Sequence, residues 1–458
     1  MSSETRPEPA TVSFREAVSV WVRIGLLSFG GPAGQIALMH RELVERRRWI
    51  SETRFLHALN YCMLLPGPEA QQLAIYIGWL MHRTRGGVVA GVLFVLPGAF
   101  VILALSMLYA RFHELPLIAS LFFGLKAAVL AIVAEAVVRV GRRALKSVFL
   151  VAMAAGAFLA IFACDVPFPW IIVAAGAIGA AMYRAKPDLF PQSNAATASN
   201  DAATPSVVDR LFETGQLGHA MPNLGRSMRI FAVWCALWVA PILLLALWKG
   251  AHSVFVQQGW FFSQTAVVTF GGAYSVLSYV AQRAVEDFAW LRPGEMLDGL
   301  ALAETTPGPL ILVLEFVAYL GAYRASTGLP AMLSGTIGAA VALWTTFVPC
   351  FLWIFLGAPY IESMRNYRVL NAAMASITAA VVGVILNLSV WFALHTLFAE
   401  VRPMRWGILQ VDAPVASTLN WAALVLSIAA LVAALRFKVS MPGMLAACAV
   451  FGVAWSLT

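Results

Sequence analysis

Phe29-Gly30-Gly31-Pro32, followed further along by Pro66-Gly67-Pro68, is the stretch of sequence that decides the fold. Both parts recur, as Phe270-Gly271-Gly272 and Pro307-Gly308-Pro309, at one common offset of 241 residues. We call them the Gly-Gly motifs and the Pro-Gly-Pro motifs. Proline removes a backbone N–H and clashes with the preceding helical turn, whereas paired glycines let the chain leave helical dihedral angles. Each motif stands within an apolar run, so the sequence predicts helices that break at four matched places.

The composition indicates that these broken helices lie in a membrane. Of the 458 residues, 60% are hydrophobic and 12% are charged, and the mean hydropathy is +0.79. Soluble domains carry about 25% charged residues, so this chain has too few charges to cover a soluble surface. Apolar runs that are long enough to cross about 30 Å of hydrocarbon recur along the sequence. We therefore predict an all-α polytopic membrane protein that is surrounded by a lipid bilayer.

The same composition argues against several other classes of protein. The net charge of +8 comes mostly from Lys and Arg in short loops, which is the positive-inside pattern of membrane proteins and not a nucleic-acid-binding surface. The five cysteines lack the spacing of a metal site or a disulfide framework. No constellation of His, Cys or acidic residues suggests an enzyme. The sequence thus predicts no catalysis, no metal and no cofactor.

The chain divides into five predicted segments. These are a cytoplasmic tail at 1–13, a first repeat at 14–184, a polar cytoplasmic linker at 185–229, a connecting transmembrane helix at 230–249, and a second repeat at 250–458. Outside the motifs, full spans are predicted at roughly 88–110, 117–140, 147–163 and 168–184 and again at 331–357, 370–395, 418–435 and 441–457. Two homologous halves joined by one extra span make up the chain.

The charges predict that the two halves are inverted relative to each other. Basic residues of one loop in the first half correspond to uncharged residues or histidine in the second; the pairs are Arg139 and Trp391, Arg142 and Leu394, Arg143 and His395, Lys146 and Phe398. Because Lys and Arg concentrate on the cytoplasmic side, equivalent loops face opposite sides and the N-terminus is cytoplasmic. Two topologies stay open. Either the motif segments cross completely, giving 13 spans, or they form re-entrant pairs of half-helices, giving nine spans, which the charges favour.

The breaks predict a site for an anion. A helix that begins at Pro32 or Pro68 has unsatisfied N–H groups and about half a positive elementary charge at its first turn. Four such ends would together balance a dianion such as a tetrahedral oxyanion. Gly30, Gly31, Gly271 and Gly272 would let the ligand approach the backbone. The alternative is that these small residues and prolines only permit close packing and kinks, as in many transmembrane bundles.

Polar residues inside apolar runs extend this hypothesis. Lys126 lies near the middle of a predicted span, where a cation costs about 2.5–3.5 kcal/mol, and it suits either the anion or a countercharge. Its structural alternative, a pair with Glu135, is disfavoured because nine residues along a helix separate the groups by about 13 Å. Gln71 is a candidate hydrogen-bond donor to the substrate. The candidate proton-coupling carboxylates are Glu69, Glu304 and Glu315, although Glu69 has the alternative of complementing its own helix dipole.

At this point the residues resemble a known family. The motifs that carry the likeness are Phe29-Gly30-Gly31-Pro32, Trp49-Ile50-Ser51-Glu52, Pro66-Gly67-Pro68, Tyr76-Ile77-Gly78, Leu96-Pro97-Gly98 and the second-half copies. Together they are similar to the chromate ion transporter family in its long, two-domain bacterial form. The resemblance implies a secondary carrier of the bacterial inner membrane that exports chromate and confers resistance. It also implies that transport depends on Gly30, Gly31, Pro66, Gly67, Pro68, Gly271, Gly272, Pro307, Gly308 and Pro309, with Ala273 departing from the proline of the first copy.

Several alternatives remain open from the sequence. Chromate and sulfate are tetrahedral dianions of similar size, so a sulfate or general oxyanion carrier fits the same residues. An anion channel would use the breaks to line a continuous pore. A non-transporting scaffold is disfavoured, because it gives no purpose to a charge such as Lys126 inside the bilayer. Proton coupling is one hypothesis for the driving force, and a homodimer is one of the oligomeric states left open.

Overall fold

The computed structural model describes residues 12–190, 206–213, 223–270, 272–292, 294–360, 368–406 and 409–456. The predicted cytoplasmic tail falls almost entirely outside these residues, as do Gly271 and two parts of the predicted linker, 191–205 and 214–222. The described chain is built from helices, which confirms the predicted fold class. One β-hairpin, in which β1 Val401–Trp406 pairs antiparallel with β2 Leu409–Pro414, is an addition that the sequence analysis missed.

The first half contains seven helices, and a short helix in the linker follows them. They are α1 Phe14–Leu27, α2 Gly31–His40, α3 Glu52–Cys62, α4 Glu69–Phe112, α5 Pro116–Ala144, α6 Val148–Phe162, α7 Phe168–Ala185 and α8 Val207–Glu213. A π-helical turn, Arg41–Arg46, extends α2. Helix α4 kinks at His82 and Arg83, and Arg83 has a φ of 54°. The kink divides α4 into a short arm after the Pro-Gly-Pro motif and a long arm that carries Pro97.

The second half repeats this order after the connecting helix α9 Leu224–Lys249. It consists of α10 Val254–Val268, α11 Ala273–Gln282, α12 Glu295–Thr305, α13 Val313–Arg324, α14 Ala331–Gly357, α15 Arg368–Leu397, α16 Trp421–Leu435 and α17 Met441–Ser456. A π-helical turn, Arg283–Asp287, extends α11 in the same way as in the first half. A 3-10 turn, Leu310–Leu312, leads into α13. Helices α13 and α14 therefore correspond to the two arms of α4.

Helix length and composition identify the candidate membrane spans. By length and composition, six described helices are able to cross a membrane (α4, α5, α7, α9, α14 and α15), and three shorter apolar helices accompany them (α6, α16 and α17). Their positions match the nine predicted spans. Apart from α4, the helices next to the motifs have 10–15 residues, which is at most about 22 Å and shorter than the hydrocarbon core of about 30 Å. Helices α6 and α16 are equally short, with 15 residues each, so the preference for nine spans rests on the charges and not on helix length.

The two halves interlock through their long helices. Helix α5 of the first half packs against α16 and α17 of the second, and α15 of the second half packs against α6 and α7 of the first. The approach is close because small residues lie at the contacts. A Cβ added to Gly124 on α5 would lie 1.9 Å from the Cys448 carbonyl oxygen on α17. The core is therefore shared between the halves and does not form two separate domains.

The linker helix α8 is fastened to the loop between the π-helical turn and α3. The Val207 and Val208 N–H groups donate to the Arg48 and Trp49 carbonyls at 3.2 and 3.0 Å, and Val208 is fully buried. Asp209 accepts hydrogen bonds from Arg54, and from the Ser206 hydroxyl at 2.6 Å. Partial burial raises the pKa of Asp209, but the bonds from Ser206 and Arg54 outweigh it and hold that pKa below its ordinary value. The carboxylate is thus charged at neutral pH.

We expect Asp209→Asn to loosen α8 and to raise the rate of tryptic cleavage after Arg210. A partly exposed ion pair contributes about 1 kcal/mol, so its loss raises the open population about fivefold. Asp188→Asn removes an exposed carboxylate earlier in the linker and is the matched control. The low pKa of Asp209 adds a pH dependence: the contact persists above the unfolded pKa and is lost as pH falls through the folded one. Equal cleavage rates in wild type and both variants would contradict the contact.

Candidate functional site

Two backbone hydrogen bonds join the motifs of one half to those of the other. The Gly67 N–H donates to the Thr269 carbonyl at 2.8 Å, and the Gly308 N–H donates to the Ser28 carbonyl at 2.8 Å. Ser28 and Thr269 are equivalent residues, each two positions before the first glycine of a Gly-Gly motif. Each Pro-Gly-Pro motif is thus held by the residue that ends the broken helix of the opposite half. The two contacts obey the same internal pseudo-symmetry as the sequence repeat.

The glycines of the Pro-Gly-Pro motifs are required by both conformation and space. Gly67 and Gly308 have φ values of 117° and 99°, in the region that favours glycine. A Cβ on Gly67 would lie 3.0 Å from Cys350 Sγ, and one on Gly308 would lie 3.4 Å from Gly98 Cα. Gly98 follows Pro97 in the long arm of α4, and Cys350 follows the equivalent Pro349 in α14. Each motif therefore rests on the proline-bearing turn of the opposite half.

Two glutamines of the first half hold the Pro-Gly-Pro loops. Gln35 Nε2 donates to the Gly308 carbonyl at 2.6 Å, and Gln72 Nε2 donates to the Pro66 carbonyl at 2.7 Å. Gln71, which the sequence analysis named as a candidate hydrogen-bond donor to the substrate, is buried, and its Nε2 atom lies 3.5 Å from the Gly91 carbonyl oxygen. Gln35 escaped the sequence analysis because an amide within an apolar helix gives no signal of which carbonyl it meets.

The N-terminal end of α2 opens onto free space. Gly30 and Gly31 have φ values of 86° and 67°, and Pro32 stands in the first turn. A Cβ added at Gly31 would find nothing within 4 Å, and Gly30 is exposed. The first N–H groups of a helix are unsatisfied and carry a partial positive charge. An anion is therefore able to approach this backbone without displacing any described side chain.

The equivalent end of α11 differs because a carboxylate lies beside it. Helix α11 begins at Ala273 after Gly272, which has a φ of 99°. A Cβ at Gly272 would lie 3.8 Å from the Glu69 Oε1 atom in the first turn of α4. Glu69 thus brings the start of α4 next to the start of α11, across the boundary between halves. Its counterpart is Leu310, so no carboxylate stands in the corresponding position at α2.

The other two predicted coupling carboxylates are buried on neighbouring helices. Glu304 on α12 is 4% exposed and accepts a hydrogen bond from the Tyr274 hydroxyl on α11. Glu315 on α13 is 1% exposed, and neither of its carboxyl oxygens has a hydrogen-bond partner among the described residues. A charged carboxylate that is buried without a partner is costly, so such a group favours its protonated form. This argument applies to Glu315, whereas Glu304 has the Tyr274 hydroxyl as a donor.

Lys126 lies away from the motifs and has a partner that the sequence analysis missed. Its Nζ atom is 3.4 Å from Asp298 Oδ2 on α12, whereas Glu135 pairs with Arg139 on its own helix at 3.7 Å. A Cβ on Gly294, the residue before α12, would lie 3.2 Å from Lys126 Nζ. The eleven residues of α12 separate this point from the Pro-Gly-Pro motif by about 15 Å along the helix axis. Lys126 therefore lies apart from the predicted site residues at the motifs.

A cavity of about 440 Å³ lies elsewhere, beside the β-hairpin and α15. Its lining includes the carboxylates Asp165, Glu286 and Asp412 together with His395. Three carboxylates in one cleft repel an anion. We therefore take the motifs, and not this cavity, as the candidate anion site.

Comparisons with known proteins match both halves of the chain. The family model described as Chromate transporter matches residues 15–180 and 256–453, one region in each half. A chromate transport protein of Cupriavidus metallidurans is 31% identical over 378 residues, covering 82% of this chain and 81% of that protein. A chromate transport protein of Pseudomonas aeruginosa is 32% identical over 388 residues, covering 83% and 81%.

The likeness extends to more distant proteins. An uncharacterized transporter of Methanocaldococcus jannaschii is 22% identical over 377 residues, covering 82% of this chain and 83% of that protein. No solved structure matches the chain. With matching regions in both halves and relatives that align over most of their length, this multi-pass membrane protein belongs to the chromate transporter family.

Proposed function

We propose that this protein is a secondary active carrier that exports chromate from the cytoplasm across the bacterial inner membrane and thereby confers chromate resistance. The observation that carries the proposal is the reciprocal pair of hydrogen bonds between the motifs, from Gly67 to Thr269 and from Gly308 to Ser28. Broken helices that meet across an internal pseudo-symmetry axis are typical of carriers that open alternately to the two sides. Family membership and the names of the two chromate transport proteins support the substrate.

The substrate contacts are proposed to lie at the helix ends of the four motifs. The open end of α2 at Gly30, Gly31 and Pro32 offers backbone N–H groups to a tetrahedral oxyanion. The end of α11 at Gly271 and Gly272 is proposed to serve the same purpose when Glu69 withdraws or takes up a proton. The Pro-Gly-Pro motifs are proposed to set the positions of these ends and to move when the carrier changes sides.

Protons are proposed as the coupling ions, with Glu69, Glu304 and Glu315 as carriers. Glu69 stands where an anion at α11 would be bound, so the two negative charges compete unless the carboxylate is protonated. Glu304 and Glu315 lie on the two helices that flank the second Pro-Gly-Pro motif. A conformational change of that motif would therefore move the helices that carry both carboxylates.

Uptake of radiolabelled chromate into everted membrane vesicles tests this function. Saturable uptake that needs a pH gradient and that excess sulfate hardly inhibits is the expected result. Uptake that sulfate abolishes would make the protein a general oxyanion carrier. Uptake that rises linearly with chromate concentration and ignores the gradient would indicate an anion channel. A complete lack of uptake, with the protein present in the membrane, would refute the proposal.

Cysteine labelling tests the proposed inversion of the halves. In a cysteine-free background, Lys146→Cys is expected to react with an impermeant thiol reagent only from the cytoplasmic side. Phe398→Cys, at the equivalent position of the second half, is expected to react only from the opposite side, because equivalent loops of inverted halves face opposite compartments. Labelling of both positions from the same side would contradict the inverted topology.

A further inference from the structure

Asp298 belongs to a buried polar cluster that joins the two halves. Its Oδ2 atom faces Lys126 Nζ of α5 at 3.4 Å and accepts a hydrogen bond from the Tyr109 hydroxyl of α4 at 2.8 Å. Its Oδ1 atom is buried and has no partner among the described residues. Asp298 as a whole is 4% exposed, whereas the Lys126 side chain is 28% exposed. The carboxylate is therefore enclosed while its cation is accessible.

The other charges around Asp298 are already neutralised. Arg324 of α13 forms two hydrogen bonds of 2.7 Å with Glu295, one turn before Asp298 on α12. Beyond Tyr109, the ring of His113 stacks on that tyrosine at 5.0 Å between ring centroids. Helix α17, which also packs on α12, contributes Cys448 as its only titratable side chain among the described residues, and the 3-10 turn Leu310–Leu312 is apolar. Lys126 is thus the cation that balances Asp298.

The Lys126 ammonium lies at the positive end of a helix. Gly294 precedes α12 with a φ of 88°, and the N–H groups of Glu295 and Leu297 donate to the Arg292 and Gly294 carbonyls at 3.1 and 3.2 Å. The ammonium approaches within 3.2 Å of the position of a Gly294 Cβ. A cation next to a helix N-terminus is electrostatically unfavourable unless an anion compensates both. Asp298 now supplies that anion from inside the fold, and its unpartnered Oδ1 atom has no other described group to bind.

We propose that Lys126 and Asp298 form an exchange pair in which the oxyanion replaces the carboxylate. The oxyanion binds the Lys126 ammonium beside the positively charged start of α12. Asp298, which then lacks a cation in a buried site, takes up one proton from water on its Oδ1 atom. No bond other than this O–H is formed, and the ammonium keeps its three protons. This pair rests on the proposed oxyanion transport and assigns one proton to each oxyanion that passes it.

The sign of the coupling follows from the exchange. Because proton uptake accompanies oxyanion binding, a lower pH strengthens binding, and the apparent Kd rises about tenfold for each pH unit where Asp298 is deprotonated in the free protein. Binding of the proton and of the oxyanion therefore favour each other. Asp298→Asn mimics the protonated carboxylate and keeps the hydrogen bond with Tyr109. Its Kd for the oxyanion is expected to depend less steeply on pH than that of wild type.

Calorimetric titration of the purified full-length protein with chromate tests the pair. The titration is made above neutral pH, where chromate is a dianion, in buffers that differ in ionisation enthalpy. Wild type is expected to take up about one proton more per chromate bound than Asp298→Asn does. Lys126→Gln should bind at least about tenfold more weakly, since it loses a charge-assisted contact. Glu135→Gln, on the same helix as Lys126, is the control and should behave as wild type.

The outcomes separate this inference from the proposed function. Chromate binding by wild type without proton uptake would overturn the exchange pair while leaving oxyanion transport intact. Proton uptake that is as large in Asp298→Asn as in wild type would assign the proton to another group and would also overturn it. Absence of chromate binding by folded wild-type protein would overturn the proposed function, and the exchange pair with it.

Discussion

Replacing Gly31 with leucine is expected to reduce chromate flux about tenfold to a hundredfold while the protein still inserts and folds. Gly31 lies at the open start of α2, where an added Cβ meets nothing within 4 Å. A leucine there fills the space that we assign to the oxyanion. A hydrogen bond to a charged group contributes about 1.5–3 kcal/mol, and a tenfold change in affinity corresponds to about 1.4 kcal/mol. Flux into everted vesicles measures the loss.

Gly328→Leu is the matched control for Gly31→Leu. Gly328 has a φ of 73°, close to the 67° of Gly31, and its added Cβ would likewise meet nothing within 4 Å. Both substitutions therefore carry the same backbone cost, about 1–2 kcal/mol for a side chain in the left-handed region. Gly328 lies between α13 and α14, away from the motifs. Normal chromate flux in Gly31→Leu would refute the proposed oxyanion site at the start of α2. An equal loss of flux in both variants would show that backbone strain alone causes the loss.

Gly98→Ala is expected to destabilise the protein by about 1–3 kcal/mol and to stop transport, because it overpacks the contact between α4 and the second Pro-Gly-Pro motif. The new Cβ would lie 2.1 Å from the Pro307 carbonyl oxygen and 2.6 Å from Leu312 Cδ1. A backbone oxygen cannot turn aside as a flexible side chain can, so the motif itself must shift. The hydrogen bond from Gly308 to Ser28 would shift with it. Thermal unfolding in detergent and vesicle flux measure the two effects.

Gly141→Ala provides the comparison for Gly98→Ala. Gly141 is also within a long helix, but its added Cβ would lie 3.6 Å from the nearest heavy atom, which is ordinary van der Waals contact. Alanine has a higher helix propensity than glycine, so this variant should be as stable as wild type or more stable. If Gly98→Ala unfolds at the temperature of Gly141→Ala and transports normally, the close approach at Pro307 is not needed.

The broken helices were predictable because proline and paired glycine act locally. Gly30, Gly67 and their copies change the backbone within one turn, so sequence and spacing were sufficient to place the ends of α2 and α4. The long apolar helices were predictable for a similar reason, since the thickness of the bilayer sets their length. The kink at Arg83 also fell where the sequence analysis separated a half-helix from a span.

Partners across the boundary between halves were not predictable, because they depend on tertiary packing. Asp298 stands in an apolar helix with no local sign that Lys126, on another helix, would face it. The bond between Gln35 and Gly308 joins residues that are far apart in sequence. The packing of α8 was missed because the sequence around it is rich in Ser, Asn and Ala, which is typical of a linker. Val208 is nevertheless buried. The β-hairpin after α15 was missed as well, because Pro403 inside β1 argues against a strand.

The reciprocal bonds from Gly67 to Thr269 and from Gly308 to Ser28 bear on how such a chain is encoded. A gene that specified only one half would produce a polypeptide with a Pro-Gly-Pro motif whose glycine N–H finds no acceptor of its own. That polypeptide would need a second molecule, inserted in the opposite orientation, to become complete. Fusing two such genes fixes the ratio of the halves at one to one, and in the proposed inverted topology α9 would supply the additional crossing between them. Once fused, the copies are free to diverge, as Glu69 and Leu310 or Lys126 and Thr378 already have.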